Sequence, residues 1–158
     1  MSEQFSLLQQ NSRPLHFGTR EAGAKGEALA AEYLTRNGYR LVMANFKAPI
    51  GRNSKGVQVT GEIDLVAIDG ETLCFIEVKT RATMNFGGPL SAVDNQKQRQ
   101  ITRTARVYKK IFGLYDIEQR FDVVTVLMAG TKPEIDLIRG FWSENKFNKK
   151  KYWDDDIY

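Results

Sequence analysis

Cysteine and histidine are nearly absent from this sequence. Among its 158 residues, Cys74 is the single cysteine and His16 the single histidine. A lone cysteine cannot form an internal disulfide, so we expect a cytoplasmic protein in a reducing compartment. Zinc sites built from Cys and His need several such ligands, and a His-based triad has one candidate residue. Any catalysis must therefore come from carboxylates, Lys, Tyr or a hard metal ion held by oxygen ligands.

Long apolar runs are missing too. The most apolar stretch, residues 123–129, is far shorter than the roughly 18 residues that a membrane helix requires. The first ten residues also lack the apolar core of a secretory signal. We therefore expect no membrane partner. With 42% hydrophobic and 27% charged residues, the composition is typical of one soluble globular domain.

Positive charge is in excess and unevenly distributed. The net charge is +4 and the pI is about 9.2. Residues 79–110 contain eight Lys or Arg residues and a single acid, Asp94. Such a balance suggests a polyanionic partner, for which nucleic acid is the natural candidate, but does not prove one.

The pattern of apolar, Gly and Pro residues predicts seven elements in the order α-β-β-β-α-β-β. We expect helices over about 20–37 and 94–112, strands over 39–46, 57–68, 71–81, 120–128 and 134–141, and a surface loop over 47–56. This order predicts an α/β fold with a mixed central sheet flanked by helices. Residues 1–18 are expected to be a flexible arm, 19–142 the folded domain, and 143–158 a charged tail, mobile unless it docks.

Acidic side chains cluster on the predicted hairpin of the second and third strands. A two-residue turn at Asp69-Gly70 sets Glu62 opposite Glu77 and places Asp64 diagonal to Glu77. With Lys79, these side chains share one face of the hairpin. Like charges directly opposed are unfavourable unless a cation lies between them. The alternative is a solvated ion pair between Lys79 and an acid, which is worth little.

The first predicted helix carries a carboxylate on its core face. Glu27 lies in the middle of a small, apolar face that includes Ala31 and Leu34. An unpaired carboxylate is costly there. Either Glu27 is a boundary residue bonded to a backbone amide or to Lys79, or it faces the hairpin and joins the acid cluster.

The second predicted helix separates core from charge. Its core stripe holds Ile101, Ala105, Tyr108 and Phe112, and the opposite side holds Arg99, Arg103, Arg106 and Lys110. This basic stripe either serves solubility or binds nucleic acid. Lys97 differs from these residues, because it lies in the first turn at the edge of the core stripe and could point toward the acids.

Taken together, the motifs resemble the YraN family. They include Gly26-Glu27, Asn45-Phe46, Gly61-Glu62-Ile63-Asp64-Leu65, Phe75-Ile76-Glu77-Val78-Lys79-Thr80-Arg81, Lys97-Gln98 and Arg120-Phe121-Asp122-Val123-Val124. That bacterial family looks like a branch of the PD-(D/E)XK nucleases and is similar to archaeal Holliday junction resolvases. The resemblance covers about residues 23–141 and implies a restriction-endonuclease-like fold.

The resemblance also implies roles for single residues. Asp64, Glu77 and the backbone carbonyl of Val78 would hold one or two Mg²⁺ or Mn²⁺ ions, with Glu27 or Glu62 binding through water. Lys79 would orient the attacking water or stabilise charge on the phosphate. The residues expected to grip flanking phosphates are Arg81, Lys97, Arg99, Arg103, Arg106 and Lys110.

Two departures from the family pattern are visible. Ile63 precedes Asp64 where the superfamily name has a proline, and the loop over 47–56 looks longer than usual. Neither removes an acid. We therefore expect a metal-dependent endonuclease that hydrolyses phosphodiester bonds, in DNA more than RNA and in branched or structured DNA. The alternative is a non-catalytic DNA-binding module on the same fold, and a homodimer is left open.

Overall fold

The structure is a computed structural model that describes residues 19–82 and 93–148. The elements are α1 (Thr19–Arg36), β1 (Arg40–Arg52), β2 (Gln58–Asp69), β3 (Thr72–Arg81), α2 (Asn95–Phe112), β4 (Gln119–Leu127), β5 (Glu134–Trp142) and a short 3-10 helix (Glu144–Phe147). The predicted arm over 1–18 and the tail beyond residue 148 lie outside the described residues. Within the described ranges, neither helix combines the length and hydropathy needed to cross a membrane.

The five strands form one mixed sheet. Their spatial order is β1-β2-β3-β4-β5, with antiparallel pairs except for the parallel pair of β3 and β4. Helix α2 makes the crossover between the two parallel strands, as such a connection requires. The predicted order of elements and the mixed α/β sheet are confirmed.

Two apolar clusters cover the two faces of this sheet. The cluster beneath α1 contains Ala30, Ala31 and Leu34 of the helix, with Leu65, Ala67, Cys74, Ile76, Val124 and Val126 of the strands. The cluster beneath α2 contains Ile101, Ala105 and Tyr108, with Ile63, Val66, Phe75, Phe121, Val123 and Trp142. The sheet is therefore buried on both sides, and the two predicted helix faces meet it. The exception is Phe112 in the last turn of α2, which belongs to the predicted core stripe but is 46% exposed.

Helix α2 has a capping residue at each end. Asp94 is the N-cap, and its Oδ1 accepts a hydrogen bond of 2.8 Å from the Lys97 backbone N–H. Gly113 ends the helix at φ +65°, a left-handed conformation that glycine adopts without strain. The cap fixes Lys97 in the first turn of α2.

The β2–β3 hairpin turns one residue later than predicted. Asp69 pairs with Thr72, so the turn consists of Gly70 and Glu71. Gly70 has φ +62°, which suits the first central position of a type II′ turn. Asp69 stays in the strand because its carboxylate accepts a hydrogen bond of 2.8 Å from Arg120 Nη2.

This later turn corrects the predicted register. Every residue of β3 is displaced by two positions relative to β2, and the ladder runs as far as Leu65 opposite Ile76. Glu62 is therefore not level with Glu77. Continuing the observed register brings Asp64 level with Glu77 instead. Because the displacement is even, it moves no residue of β3 to the other face.

The predicted surface loop over 47–56 is largely strand. β1 continues through Arg52 and pairs with β2 as far as Gln58. The chain reverses only at residues 53–56, where Asn53 Oδ1 accepts hydrogen bonds from the Lys55 and Val57 backbone N–H groups. Pro49 is tolerated because β1 is an edge strand.

The described start of the charged tail packs against α2. At the end of β5, Trp142 Nε1 donates a hydrogen bond of 2.9 Å to Thr102 Oγ1. In the 3-10 helix, Lys146 Nζ donates a hydrogen bond of 2.8 Å to Gln98 Oε1. These contacts hold the beginning of the predicted tail, residues 143–148, on the helix.

At each of two helix–strand contacts, a glycine allows the helix and the strand to approach closely. A Cβ at Gly26 of α1 would lie 1.8 Å from Thr80 Oγ1 of β3, and a Cβ at Gly61 of β2 would lie 1.9 Å from Thr104 Oγ1 of α2. Real Cβ atoms do not come that near a neighbour. The first contact fixes α1 on β3 and carries the next residue, Glu27, toward the sheet.

We expect Gly26→Ala to lower the free energy of unfolding by about 2 kcal/mol, because the added methyl must displace Thr80. Gly23→Ala is the matched control in the same helix, since its Cβ would meet nothing within 4 Å. That variant should gain about 0.5–1 kcal/mol from helix propensity. Urea unfolding measures both, and equal stability of the two variants would contradict the close approach.

Candidate functional site

The β2–β3 ladder ends in the middle of both strands. Its last pair is Leu65 with Ile76, although β2 and β3 both continue beyond it. There the Val78 backbone N–H donates a hydrogen bond of 2.8 Å to Asp64 Oδ2. A side-chain carboxylate thus takes the role that a strand carbonyl has in an intact ladder. We call this point the fork.

Each arm of the fork keeps its other partner strand. β2 remains paired with β1 out to Gln58, and β3 remains paired with β4 out to Arg81. The sheet therefore divides into a β1–β2 arm beneath α2 and a β3–β4–β5 arm beneath α1. The side chains at the fork lie between two well-supported halves of the domain.

The side-chain alternation of β2 breaks at the fork. Ile63 packs in the cluster beneath α2, whereas Leu65, two residues on, packs in the cluster beneath α1. Asn45, which lies between the partners of these two residues on β1, has φ +53°. The two strands turn together at Asn45 and Asp64, so the predicted single face for the acids is interrupted at Asp64.

Glu77 is the most buried acid of the site, with 2% of its surface exposed. Its Oε1 lies 2.8 Å from Lys79 Nζ and 3.4 Å from Lys97 Nζ. Its Oε2 is buried and has no hydrogen-bond partner among the described residues. The predicted proximity of Lys97 to the acids is confirmed. An orphaned carboxylate oxygen is a costly feature that indicates a missing partner at this position.

Asp64 is strained electrostatically as well. The pKa of its carboxyl is raised to about 7, because burial and the nearby charge of Glu77 raise it more than the hydrogen bond from Val78 lowers it. The carboxyls of Asp64 and Glu77 together carry more negative charge than the neighbouring groups compensate. A divalent cation would relieve that excess.

Glu27 approaches the same site from α1. Burial raises the pKa of Glu27, a hydrogen bond with the Asn45 side chain lowers it, and the charges of Glu62 and Glu77 raise it. Glu27 therefore faces the hairpin and lies near the acid cluster, which is the second of the two alternatives predicted for it. Asn45 is a site residue that periodicity does not identify, because a single polar residue in a strand is unremarkable.

Glu62 lies at the rim. Its Oε1 is 3.6 Å from Lys47 Nζ on β1, and 40% of its side chain is exposed. Within residues 19–82 and 93–148, no three acidic, His or Cys side chains stand close enough to hold a metal ion by themselves. An ion held by the pair Asp64 and Glu77 would therefore need further ligands from backbone or water oxygens.

The basic residues of α2 are largely engaged within the fold. Arg103 donates a hydrogen bond to the Ile50 carbonyl, Arg106 pairs with Glu144, and the Arg99 guanidinium lies 5.5 Å from the centre of the Phe147 ring. The other two predicted phosphate-binding residues are exposed; they are Arg81 and Lys110.

An open cleft adjoins the fork. Its volume is about 950 Å³, and it reaches from Asp64 and Glu77, past Lys79, to the first half of α1 and the β4–β5 connection. Glu77 is therefore buried and Asp64 half-buried, yet both line an open cleft.

A second polar cluster lies on the hairpin side of the fork, from the level of Ile76 toward the β2–β3 turn. Asp122, which is fully buried, accepts hydrogen bonds from the Tyr39 hydroxyl, the Arg120 side chain and the Gly140 backbone N–H. Burial raises the pKa of Tyr39 to about 12. Arg120 also binds Asp69. The motif Arg120-Phe121-Asp122 thus ties the strands together on the hairpin side and contributes nothing to the fork.

The fold and the fork define an α/β protein with an acid–lysine site at a division in its sheet. The chain belongs to uncharacterised protein family UPF0102, whose model matches residues 26–126. The UPF0102 protein of Prosthecochloris aestuarii is 40% identical over 78% of this chain and 95% of its own length. That of Chlorobium limicola is 42% identical over 78% and 86%. The YraN resemblance is thereby confirmed.

Another relative comes from a different group of bacteria. The UPF0102 protein GSU0650 of Geobacter sulfurreducens is 42% identical over 73% of this chain and 84% of its own. Among solved structures, a crystal structure of SSO0001 matches with a TM-score of 0.34 and 16% identity over 90% of this chain and 61% of that chain. A similarity at that level carries no argument.

The raised pKa of Asp64 predicts a cost in stability. Between pH 4 and 7 the folded protein keeps a proton that the unfolded chain has released, so the wild type loses stability as pH rises. In EDTA at pH 8, Asp64→Asn should be more stable by about 2 kcal/mol. At pH 4 the difference should vanish. Thermal unfolding across this range measures it.

Asp116→Asn is the control, because Asp116 is exposed on the α2–β4 connection. It should match the wild type at every pH. If Asp64→Asn gives no gain at pH 8, or the same gain at pH 4, the electrostatic description of the fork is wrong.

Proposed function

We propose that this protein is a metal-dependent nuclease that hydrolyses phosphodiester bonds, in DNA in preference to RNA. One observation carries the proposal: buried Glu77, with an orphaned oxygen, lies beside half-buried Asp64 and two lysines, with an open cleft in front. Purely structural ion pairs rarely leave a buried carboxylate oxygen without a partner. Perturbed carboxyls in a cleft are a signature of functional sites.

The oxygen donors at the fork fit Mg²⁺ or Mn²⁺. Asp64, Glu77 and the backbone carbonyl of Val78 would hold one or two ions, with Glu27 and, from the rim, Glu62 acting through water. Such an ion polarises a phosphate and makes a bound water more acidic. Hard cations of this kind also bind phosphate oxygens, which matches a nucleic-acid substrate.

The two lysines supply the positive charge that phosphate chemistry requires. Both ammonium groups lie against Glu77 Oε1, and the Lys79 side chain is 22% exposed toward the cleft. Lys79 would orient the attacking water or stabilise charge that develops on the phosphate. Lys97 is held by the capped first turn of α2, so its charge stays near the acids.

The positive segment over 79–110 favours a polyanionic partner for the domain. Arg81 and Lys110 are the exposed residues we assign to flanking phosphates. Arg99, Arg103 and Arg106 would add long-range attraction, because each already has a partner within the chain.

A non-catalytic DNA-binding module is the second candidate. The observation that favours it is the pairing of Glu77 with two lysines, which already offset its negative charge in the protein without metal. This module would bind DNA at the same face and would cleave nothing.

Replacing Lys79 separates the two candidates. We expect Lys79→Ala to lower cleavage of duplex, flap and four-way DNA in Mg²⁺ or Mn²⁺ by about 100-fold. DNA affinity should change little, because one phosphate contact among many is a small part of the electrostatic total. Metal affinity should hold or rise, since lysine is not a ligand. Gel assays with and without EDTA measure cleavage.

The exposed turn residue Lys55 provides the matched control, and Lys55→Ala should cleave like the wild type. Equal cleavage by wild type and Lys79→Ala would indicate a contaminating nuclease or a misplaced active site. DNA binding without cleavage in any metal would establish the binding module.

Lys97 should compete with the metal. Because its ammonium lies 3.4 Å from Glu77 Oε1, a divalent ion must overcome this pairing. Lys97→Met should therefore raise Mn²⁺ affinity by about 3–10-fold, an effect of roughly 1 kcal/mol that is typical of a partly exposed ion pair. Titration calorimetry measures the affinity, with Asp64→Ala as the variant that abolishes binding. Weaker binding in Lys97→Met would contradict this role.

A further inference from the structure

The cleft has two chemically different ends. At one end lie the acids and Lys79 of the fork. At the other, α1 and the β4–β5 connection form a largely apolar wall. Its apolar side chains are Ala22, Leu29, Met128 and Pro133, and Lys25 and Thr131 also contribute to it. Phosphate and metal chemistry accounts for the first end. It does not account for the second.

The size and shape of the cleft limit what can fill the apolar end. At about 950 Å³ the space is in the range of sites that enclose a small organic group. In a continuous duplex the bases are stacked face to face, and only their edges are accessible in the grooves. A nucleobase can enter such a space only when it is unpaired and unstacked.

We propose that the apolar end of the cleft binds one unpaired nucleobase of a DNA strand whose phosphate lies at the fork. The substrate class is then DNA in which strands part, such as a flap, a splayed fork or a single-stranded end. The placement of the phosphate rests on the proposed function. The base-binding end rests on the wall of α1 and the β4–β5 connection.

The character of this wall also sets the selectivity. Among the described residues lining the cleft, none is aromatic, so the base packs against Met128 and Pro133 without stacking on a ring. A methionine sulfur makes favourable contacts with any aromatic ring edge. We therefore expect this end of the cleft to discriminate little among the four bases.

Filling the cleft tests the inference. Fluorescence anisotropy in EDTA compares a labelled splayed fork with a blunt duplex of the same length at fixed salt. The wild type should bind the fork at least 10-fold more tightly. Ala22→Phe, which places a ring in the apolar end, should reduce this preference to about 2-fold or less and leave duplex affinity unchanged.

Ala28→Phe is the matched control, since Ala28 is exposed on the same helix and does not line the cleft. It should retain the full preference. Pro133→Glu is a second test variant at an exposed position, where added negative charge should also remove the preference. Circular dichroism establishes that each variant is folded. An equal affinity of the wild type for fork and duplex would overturn the inference, as would a full preference in both folded test variants.

Cleavage in Mn²⁺ distinguishes this inference from the proposed function. A preference for forks that disappears in Ala22→Phe, with no cleavage by any variant, would support the base-binding end and refute the nuclease. Cleavage of duplex as fast as fork would support the nuclease and refute the base-binding end.

Discussion

The hydrogen bond from the Val78 backbone N–H to Asp64 Oδ2 is the interaction on which the site depends. It lets β2 leave β3 without leaving a buried amide unsatisfied, which would otherwise cost about 1–3 kcal/mol. The same bond fixes the carboxylate beside Glu77. One contact therefore divides the sheet, positions an acid and opens the cleft, and each helix then supports one arm of the division.

Stability and function conflict at this point. Apolar residues would pack better where Asp64, Glu77 and Glu27 lie, and the raised pKa of Asp64 indicates unfavourable charge. The fold tolerates this because the rest of the core is well packed on both faces. Lys79 and Lys97 offset part of the negative charge of these acids but do not neutralise all of it.

Periodicity alone predicted the elements well, because amphipathic helices and glycine-ended segments carry strong local signals. It also put Glu27 on the sheet-facing side of its helix and Lys97 at the edge of the core stripe, since a helical position follows from residue spacing. It left open whether Glu27 joins the acids. It failed where long-range partners decide. The turn at Gly70 and Glu71 depends on Arg120 binding Asp69 from β4, and the extension of β1 to Arg52 depends on pairing with β2. Neither partner is visible in the local sequence.

The polar cluster around Asp122 makes the sheet mechanically unequal along its strands. On the hairpin side of the fork, hydrogen bonds from β4, β5 and the residue before β1 tie the strands together. At the fork, adjacent strands share one side-chain bond. Local opening therefore costs less free energy at the fork than on the hairpin side. The two arms of the fork can therefore separate locally, without global unfolding, while the cluster around Asp122 keeps the strands tied together on the hairpin side.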